Sequence, residues 1–229
     1  MPIRPAVRCL AATLVSLACT ASAWGQGQAL EPRLEGRALV DALVQGGNIV
    51  LMRHASTGDF VPTDGSVVLD DCSTQRNLSD AGRAQAKAMG QAFERLGIRV
   101  SRVDSSPYCR CLETGRLAFG MAEKSDLLSV GDDLSGGEKD EMGRMIRERL
   151  NQAPEPGTNA VFITHTGNLL YSFGLGTRPE GIVHVFKPAE FGPSVYQGKL
   201  VPSDWQALSG ASTGPTTEGT AAPVAPTSP

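Results

Sequence analysis

The sequence has no surplus of positive charge, no apolar run long enough to cross a membrane, no internal repeat and only three histidines. Lys and Arg number 21 against 24 Asp and Glu, a net charge of −3. Nucleic-acid binders usually show the opposite balance or a basic stripe, so that class is set aside. A membrane-spanning helix needs about 20 consecutive apolar residues, and the apolar stretch from Cys9 to Cys19 is too short. Histidines this few, among scattered carboxylates, give no metal-ligand spacing, which argues against a metal hydrolase. No cofactor is expected.

The remaining features are those of an exported globular protein. Arg4 and Arg8 precede the short apolar stretch, and Ala21-Ser22-Ala23 follows it as a small-x-small cleavage site. Residues 1–23 therefore read as a secretory signal, and the mature chain as periplasmic or secreted. Two of the five cysteines, Cys9 and Cys19, leave with that segment. Cys72, Cys109 and Cys111 remain in an oxidising compartment, where one disulfide and one leftover thiol is the simple arithmetic. Residues 24–35 read as a linker, 36–208 as one domain, and 209–229, almost all Ala, Thr, Pro, Gly and Ser, as a disordered tail.

Within the domain, strand and helix signals alternate. Gly36 to Val44 reads as a short helix, and Ile49-Val50-Leu51-Met52 as a strand buried on both faces. Gly58 to Gln75 has no period and reads as a long loop, a kind of segment that is often functional. Ser79-Asp80 caps a helix whose apolar face is Gly82, Ala86, Met89, Phe93 and Leu96, and Gly97 ends it. Val100 to Val103 is a second strand. Ser106 then reads as an N-cap, with Pro107 as the first helical residue. Asp126 to Val130 is a candidate edge strand. Glu138 to Leu150 is an amphipathic helix with Met142, Met145, Ile146 and Leu150 inward. Ala160 to Ile163 is a third strand, Leu169 to Phe173 begins another helix, and Ile182 to Phe186 with Ser194 to Leu200 form a closing strand pair. This alternation specifies an α/β layered fold, a three-layer α/β/α sandwich with a mostly parallel central sheet.

Polar residues gather at three expected strand ends: Arg53-His54, Ser105-Ser106 leading to Arg110, and His165. Ligands of open α/β sheets sit beyond such carboxyl ends. Two guanidinium groups suit a phosphate, since each offers a planar fork of donors and stays charged. The helix that carries Arg110 also turns its free N–H groups to the same region. His184, between Val183 and Val185, reads as structural.

These residues resemble the histidine phosphatase superfamily, the phosphoglycerate-mutase-like clan, from about Asn48 to Trp205. The carrying pieces are Arg53-His54, Leu78-Ser79-x-x-Gly82-x-x-Gln85-Ala86, Ser105-Ser106-Pro107 with Arg110 and Thr114, and Thr164-His165. The resemblance implies a phosphomonoesterase in which His54 forms a phosphohistidine while Arg53, Arg110 and His165 hold the phosphoryl oxygens. Its proton donor falls at Asp132 or Asp133, with Asp132 preferred; Glu113 is nearer in sequence but points away along its helix. Ser56, Thr57, Arg76 and Thr166 are the substrate-binding candidates. The substrate expected is a small phosphate ester or a phosphorylated envelope component. A phosphotransferase or mutase of the same fold, and a non-catalytic phospholigand-binding protein, are the alternatives.

Cys72 lies late in the loop expected over the pocket, while Cys109 and Cys111 flank Arg110. Helical residues two apart point about 200° from each other, so at most one of that pair faces the loop. Cys72 is expected to pair with Cys109 or Cys111, with Cys109 preferred.

Overall fold

The computed structural model describes residues 30–62, 67–130 and 134–210. The expected signal segment, the tail from 211 onward, and Asp132 with Asp133 lie outside them.

Six strands form one sheet: β1 (Ile49–Arg53), β2 (Val100–Ser105), β3 (Glu123–Lys124), β4 (Asn159–Thr164), β5 (Val183–Lys187) and β6 (Val195–Leu200). Their order across the sheet is β3-β2-β4-β1-β5-β6. Pairings among β3, β2, β4 and β1 are parallel, and β5 runs antiparallel to both β1 and β6. β1 and β4 pair in register from Ile49 with Ala160 to Arg53 with Thr164, so their carboxyl ends finish side by side. Every residue of β4, and all of β1 except Arg53, is buried, as expected of parallel strands covered on both faces.

Helices cover the two faces. On one side α1 (Gly36–Gln45), α2 (Asp80–Leu96), α3 (Cys109–Phe119) and α6 (Pro202–Gly210) pack Leu39, Leu43, Met89, Phe93, Cys111 and Trp205 against Val50, Met52, Val161 and Ile163. On the other, α4 (Gly136–Arg149), its C-cap Leu150 and α5 (Thr166–Phe173) bring Leu150, Leu169 and Phe173 to Leu51, Phe162 and Phe186. The three-layer sandwich is thus set by the two-residue alternation of the strands.

α2 starts as the sequence dictates, with the Ser79 hydroxyl accepting from Gly82 N–H, and ends on Gly97 in the left-handed region. Two of its glycines are spacers. A Cβ on Gly82 would lie 1.8 Å from the Ser56 carbonyl oxygen, and one on Gly90 would lie 2.0 Å from that of Ala118 in α3.

Four expectations need correction. The edge strand is the two-residue β3; Asp126–Leu128 is instead a 3-10 turn that buries Leu128. α3 begins at Cys109, two residues later than the Ser-Pro signal suggests, because the Ser106 hydroxyl caps only a local turn, accepting from Tyr108 N–H at 3.3 Å. Met145 points outward, 44% exposed, and Gly143 takes its place on the buried face of α4. Ordered helix continues past 208, since α6 reaches Gly210 around the buried Trp205. The end of the linker segment is also engaged: Arg33 and Leu34 N–H both donate to the Gln197 carbonyl on β6.

Candidate active site

β1 and β4 deliver Arg53-His54 and His165 to the same sheet edge, and α3 brings Arg110 over them. His54 N–H donates to the Thr164 carbonyl across the two strands at 3.1 Å. The two imidazoles are 5.5 Å apart between ring centroids, and each is nearly buried.

Hydrogen bonds fix both tautomers. His54 Nδ1 lies 2.8 Å from the Ala55 carbonyl oxygen, which can only accept. Nδ1 therefore carries the proton, and Nε2 holds a lone pair with no hydrogen bond among the described residues. His165 has the opposite arrangement. Its Nδ1 accepts from Arg110 Nη2 at 3.0 Å, so Nε2 is the protonated nitrogen, donating to the Ser106 hydroxyl at 2.7 Å. Burial, then the Arg110 guanidinium, with smaller contributions from Arg53 and Arg76, push His54 from 6.5 down to about 3. His165 is pushed well below its ordinary value by burial, again with Arg110 next. Both rings are uncharged at neutral pH.

The cations are held from several directions. Arg53 Nη1 donates to the Thr177 carbonyl at 3.0 Å and Nη2 to Glu180 Oε1 at 2.7 Å, while its Nε is buried without a partner among the described residues. Burial lowers the Arg53 pKa and Glu180 raises it in part. Arg110 lies over the Tyr108 ring, 4.6 Å from its centroid, and Tyr108 meets His165 edge-on. The Thr114 hydroxyl accepts from Ala55 N–H and donates to the Arg110 carbonyl, tying the loop after His54 to α3.

Ser56, Thr57 and Arg76 also come to this rim. Ser56 N–H donates to Gln85 Oε1 at 2.9 Å, and Arg76 Nε donates to the Thr57 hydroxyl at 2.7 Å. Thr166 opens α5 directly after His165, the residue at its N-cap. Glu113 is turned to Arg83, at 2.7 Å, and away from the histidines. A disulfide joins Cys72 to Cys109. Beside it, Gln75 Oε1 accepts the Cys109 N–H at 2.9 Å, so the long loop is fastened twice to the first turn of α3. Cys111 is fully buried, and burial pushes its thiol up to about 12, which leaves it inert as a nucleophile. His184 sits mid-sheet, with Nε2–H donating to the Gly176 carbonyl and Nδ1 accepting from the Tyr196 hydroxyl.

Sequence reasoning missed Glu180, Gln75 and Tyr108. Glu180 follows Arg178-Pro179 in a loop, and nothing in that stretch separates it from a solvated turn. Tyr108 was hidden by the Ser-Pro reading, which placed it inside the helix.

The model of the histidine phosphatase superfamily (branch 1) matches residues 49–129. Among solved structures, a proposed alpha-ribazole-5'-P phosphatase from Escherichia coli K-12 superposes with a TM-score of 0.50 at 14% identity, covering 69% of this chain and 97% of its own. The protein histidine phosphatase SixA complexed with tungstate gives 0.46 at 18% identity, covering 69% and 98%. A phosphoserine phosphatase from Entamoeba histolytica in complex with 3-phosphoglyceric acid gives 0.47 at 14%, covering 69% and 98%. No curated protein matches the sequence. At 14% identity the structure with a TM-score of 0.50 speaks to the fold alone, and the sequence match covers both Arg53-His54 and Arg110. Over residues 49–129, the stretch that carries Arg53-His54 and Arg110, the chain is similar to the histidine phosphatase superfamily (branch 1).

Proposed function

We propose that the chain is an exported phosphomonoesterase that works through a phosphohistidine on His54, without a metal ion. The observation that carries this reading is the Nε2 lone pair, without a hydrogen bond among the described residues, of a neutral, nearly buried imidazole flanked by two fixed guanidinium groups. A neutral imidazole is a competent nucleophile at phosphorus. Nε2 attacks in line, the N–P bond forms and the ester P–O bond breaks. The leaving oxygen takes a proton from Asp132. Water then attacks the phosphohistidine, releasing inorganic phosphate and restoring the lone pair. Arg53 and Arg110 neutralise the charge on the equatorial oxygens during both transfers, and His165, uncharged, holds Arg110 in place through Nδ1. Ser56, Thr57, Arg76 and Thr166 border the space left for the alcohol portion of the substrate. That substrate is a small phosphate ester or a phosphorylated envelope component, met in the periplasm or outside the cell after cleavage near Ala23.

Rapid quench of the mature protein with labelled p-nitrophenyl phosphate, in EDTA throughout, tests the reading. The expected result is an acid-labile, alkali-stable phosphate on a peptide containing His54. Turnover with no such adduct, or activity that requires added metal, would overturn it.

A further inference from the structure

The loop between α5 and β5 brings Glu180 into the cluster of cations. Its carboxylate accepts from four groups on three residues. Oε1 takes Arg53 Nη2 at 2.7 Å, the Thr57 hydroxyl at 3.2 Å and Arg76 Nη2 at 3.4 Å, and Oε2 takes Thr57 N–H at 2.9 Å. Arginine nitrogens and backbone N–H groups can only donate, so both oxygens serve as acceptors and neither is placed to deliver a proton. The Glu180 main chain is equally fixed. Its carbonyl accepts from Gln85 Nε2, and the next N–H, of Gly181, donates to the carbonyl of His54 itself at 2.9 Å.

A carboxylate beside a phosphate pocket opposes a dianion by simple Coulomb repulsion. Its presence calls for a compensating role, and the geometry supplies one. Thr177 and Glu180 pin the Arg53 guanidinium at two nitrogens, which sets the plane of the group before any substrate arrives and leaves Nε as the unused buried donor. Preorganised donors of this kind stabilise the transition state at no cost in reorganisation.

We infer that Glu180 is a positioning residue: it orients Arg53, and with it Thr57 and Arg76, for phosphoryl transfer, at the expense of ground-state affinity for the phosphate. The inference rests on the phosphatase reading above. It accounts for a negative charge in an anion site without making that charge the general acid.

Glu180→Gln in the full mature chain tests this. The variant is measured for inorganic phosphate binding by calorimetry, and for turnover of p-nitrophenyl phosphate and β-glycerophosphate. Phosphate is expected to bind as tightly as to wild type or tighter, while kcat falls on the order of 10²-fold, equally for the aryl and alkyl esters. A kcat within about threefold of wild type would overturn the inference. So would a phosphate affinity weakened as much as kcat, which marks a merely structural loss. A much larger loss for β-glycerophosphate would identify Glu180 as the proton donor instead. If Glu180→Gln does not fold, Glu180→Asp keeps the charge but is one methylene too short to span Arg53 and Thr57. It is expected to lower kcat with phosphate affinity unchanged, and a wild-type kcat would sink the idea. Wild-type protein that neither binds phosphate nor turns over either ester removes the phosphatase reading itself, whereas any result confined to the variants judges Glu180 alone.

Discussion

His54 and His184 lie on neighbouring strands' worth of sheet, both nearly buried and both pushed well below the ordinary histidine value, to about 3 and about 4. Burial is the first cause in each. What separates them is the second nitrogen. His184 has both ring nitrogens occupied, by Gly176 and Tyr196. His54 has Nδ1 occupied and Nε2 without a hydrogen bond among the described residues; of the cations around it, Arg53 precedes it in sequence, while Arg110 and Arg76 come from other segments of the chain. A depressed pKa therefore does not mark a reactive histidine in this protein. In the proposed mechanism, the mark is a lone pair with no partner among the described residues, set beside fixed cations.

The strongest way to break this comparison is to delete each ring. His54→Ala is expected to lower kcat by at least about 10⁴-fold, the scale of losing a nucleophile. His184→Phe should retain most of the activity and instead lower unfolding free energy by about 1–3 kcal/mol, because the Gly176 carbonyl and the Tyr196 hydroxyl lose their partner. Steady-state kinetics and denaturant melts on the two variants decide it; near-normal turnover in His54→Ala would end the distinction.

Next in size are the cations that only His54 has beside it. Arg53→Ala and Arg110→Ala should each reduce kcat/KM on the order of 10²–10³-fold. Arg110→Ala should also free the His165 ring, visible as a changed imidazole NMR shift. Losses under about tenfold at both positions would remove the clamp from the argument.

The disulfide sharpens the contrast between the loop-built rim and the strand-built sheet. It closes a loop of 37 residues in sequence separation, which in the chain-entropy model contributes about 3–4 kcal/mol. Reduction is expected to lower activity before the sheet melts, since Arg76 and Arg110 are on the two segments it joins. Activity and far-UV circular dichroism followed together through a dithiothreitol titration test this, and coincident loss of both would contradict it.

The smallest effect is that of pH. His54 is neutral above about pH 3, so kcat/KM should show no acid limb near 6.5 from the nucleophile. Stability behaves differently. The unfolded chain protonates its histidines near 6.5 while the folded chain resists to about 3 and about 4. Below 6.5 the unfolded state binds more protons, so stability falls as pH drops through that window and levels off above it. His184→Phe should flatten part of that slope without touching the activity profile.

Most of this arrangement could be read from the sequence because it sits on strong periodic elements. The apolar run Ile49 to Met52 and the cap at Ser79 specify β1 and α2 by burial and capping alone, and the polar residues just past β1 and β4 fall at the carboxyl ends of a parallel sheet. The misses have a common physical origin. β3 is two exposed residues with no alternation to detect. α6 buries one side chain, Trp205, so its apolar pattern is nearly silent. Ser106 carries a helix-start signal, yet its hydroxyl also serves His165, a partner 59 positions away. Glu180 is 123 residues from Thr57 and 104 from Arg76, and only folding gives it meaning.

The two close approaches of α2 have a consequence for how this pocket can diverge. At Gly82 the helix backbone rests on the carbonyl of Ser56, two residues after His54, and at Gly90 on that of Ala118, in the helix that carries Arg110. α2 thus acts as a gauge block: its two bare positions set the gap between the loop after His54 and the helix of Arg110. Any side chain at either would widen that gap, whatever its chemistry. A mutational landscape of the chain would show α2 as a ruler with two immovable marks, while the helix between them, at Lys87 for instance, remains open to drift.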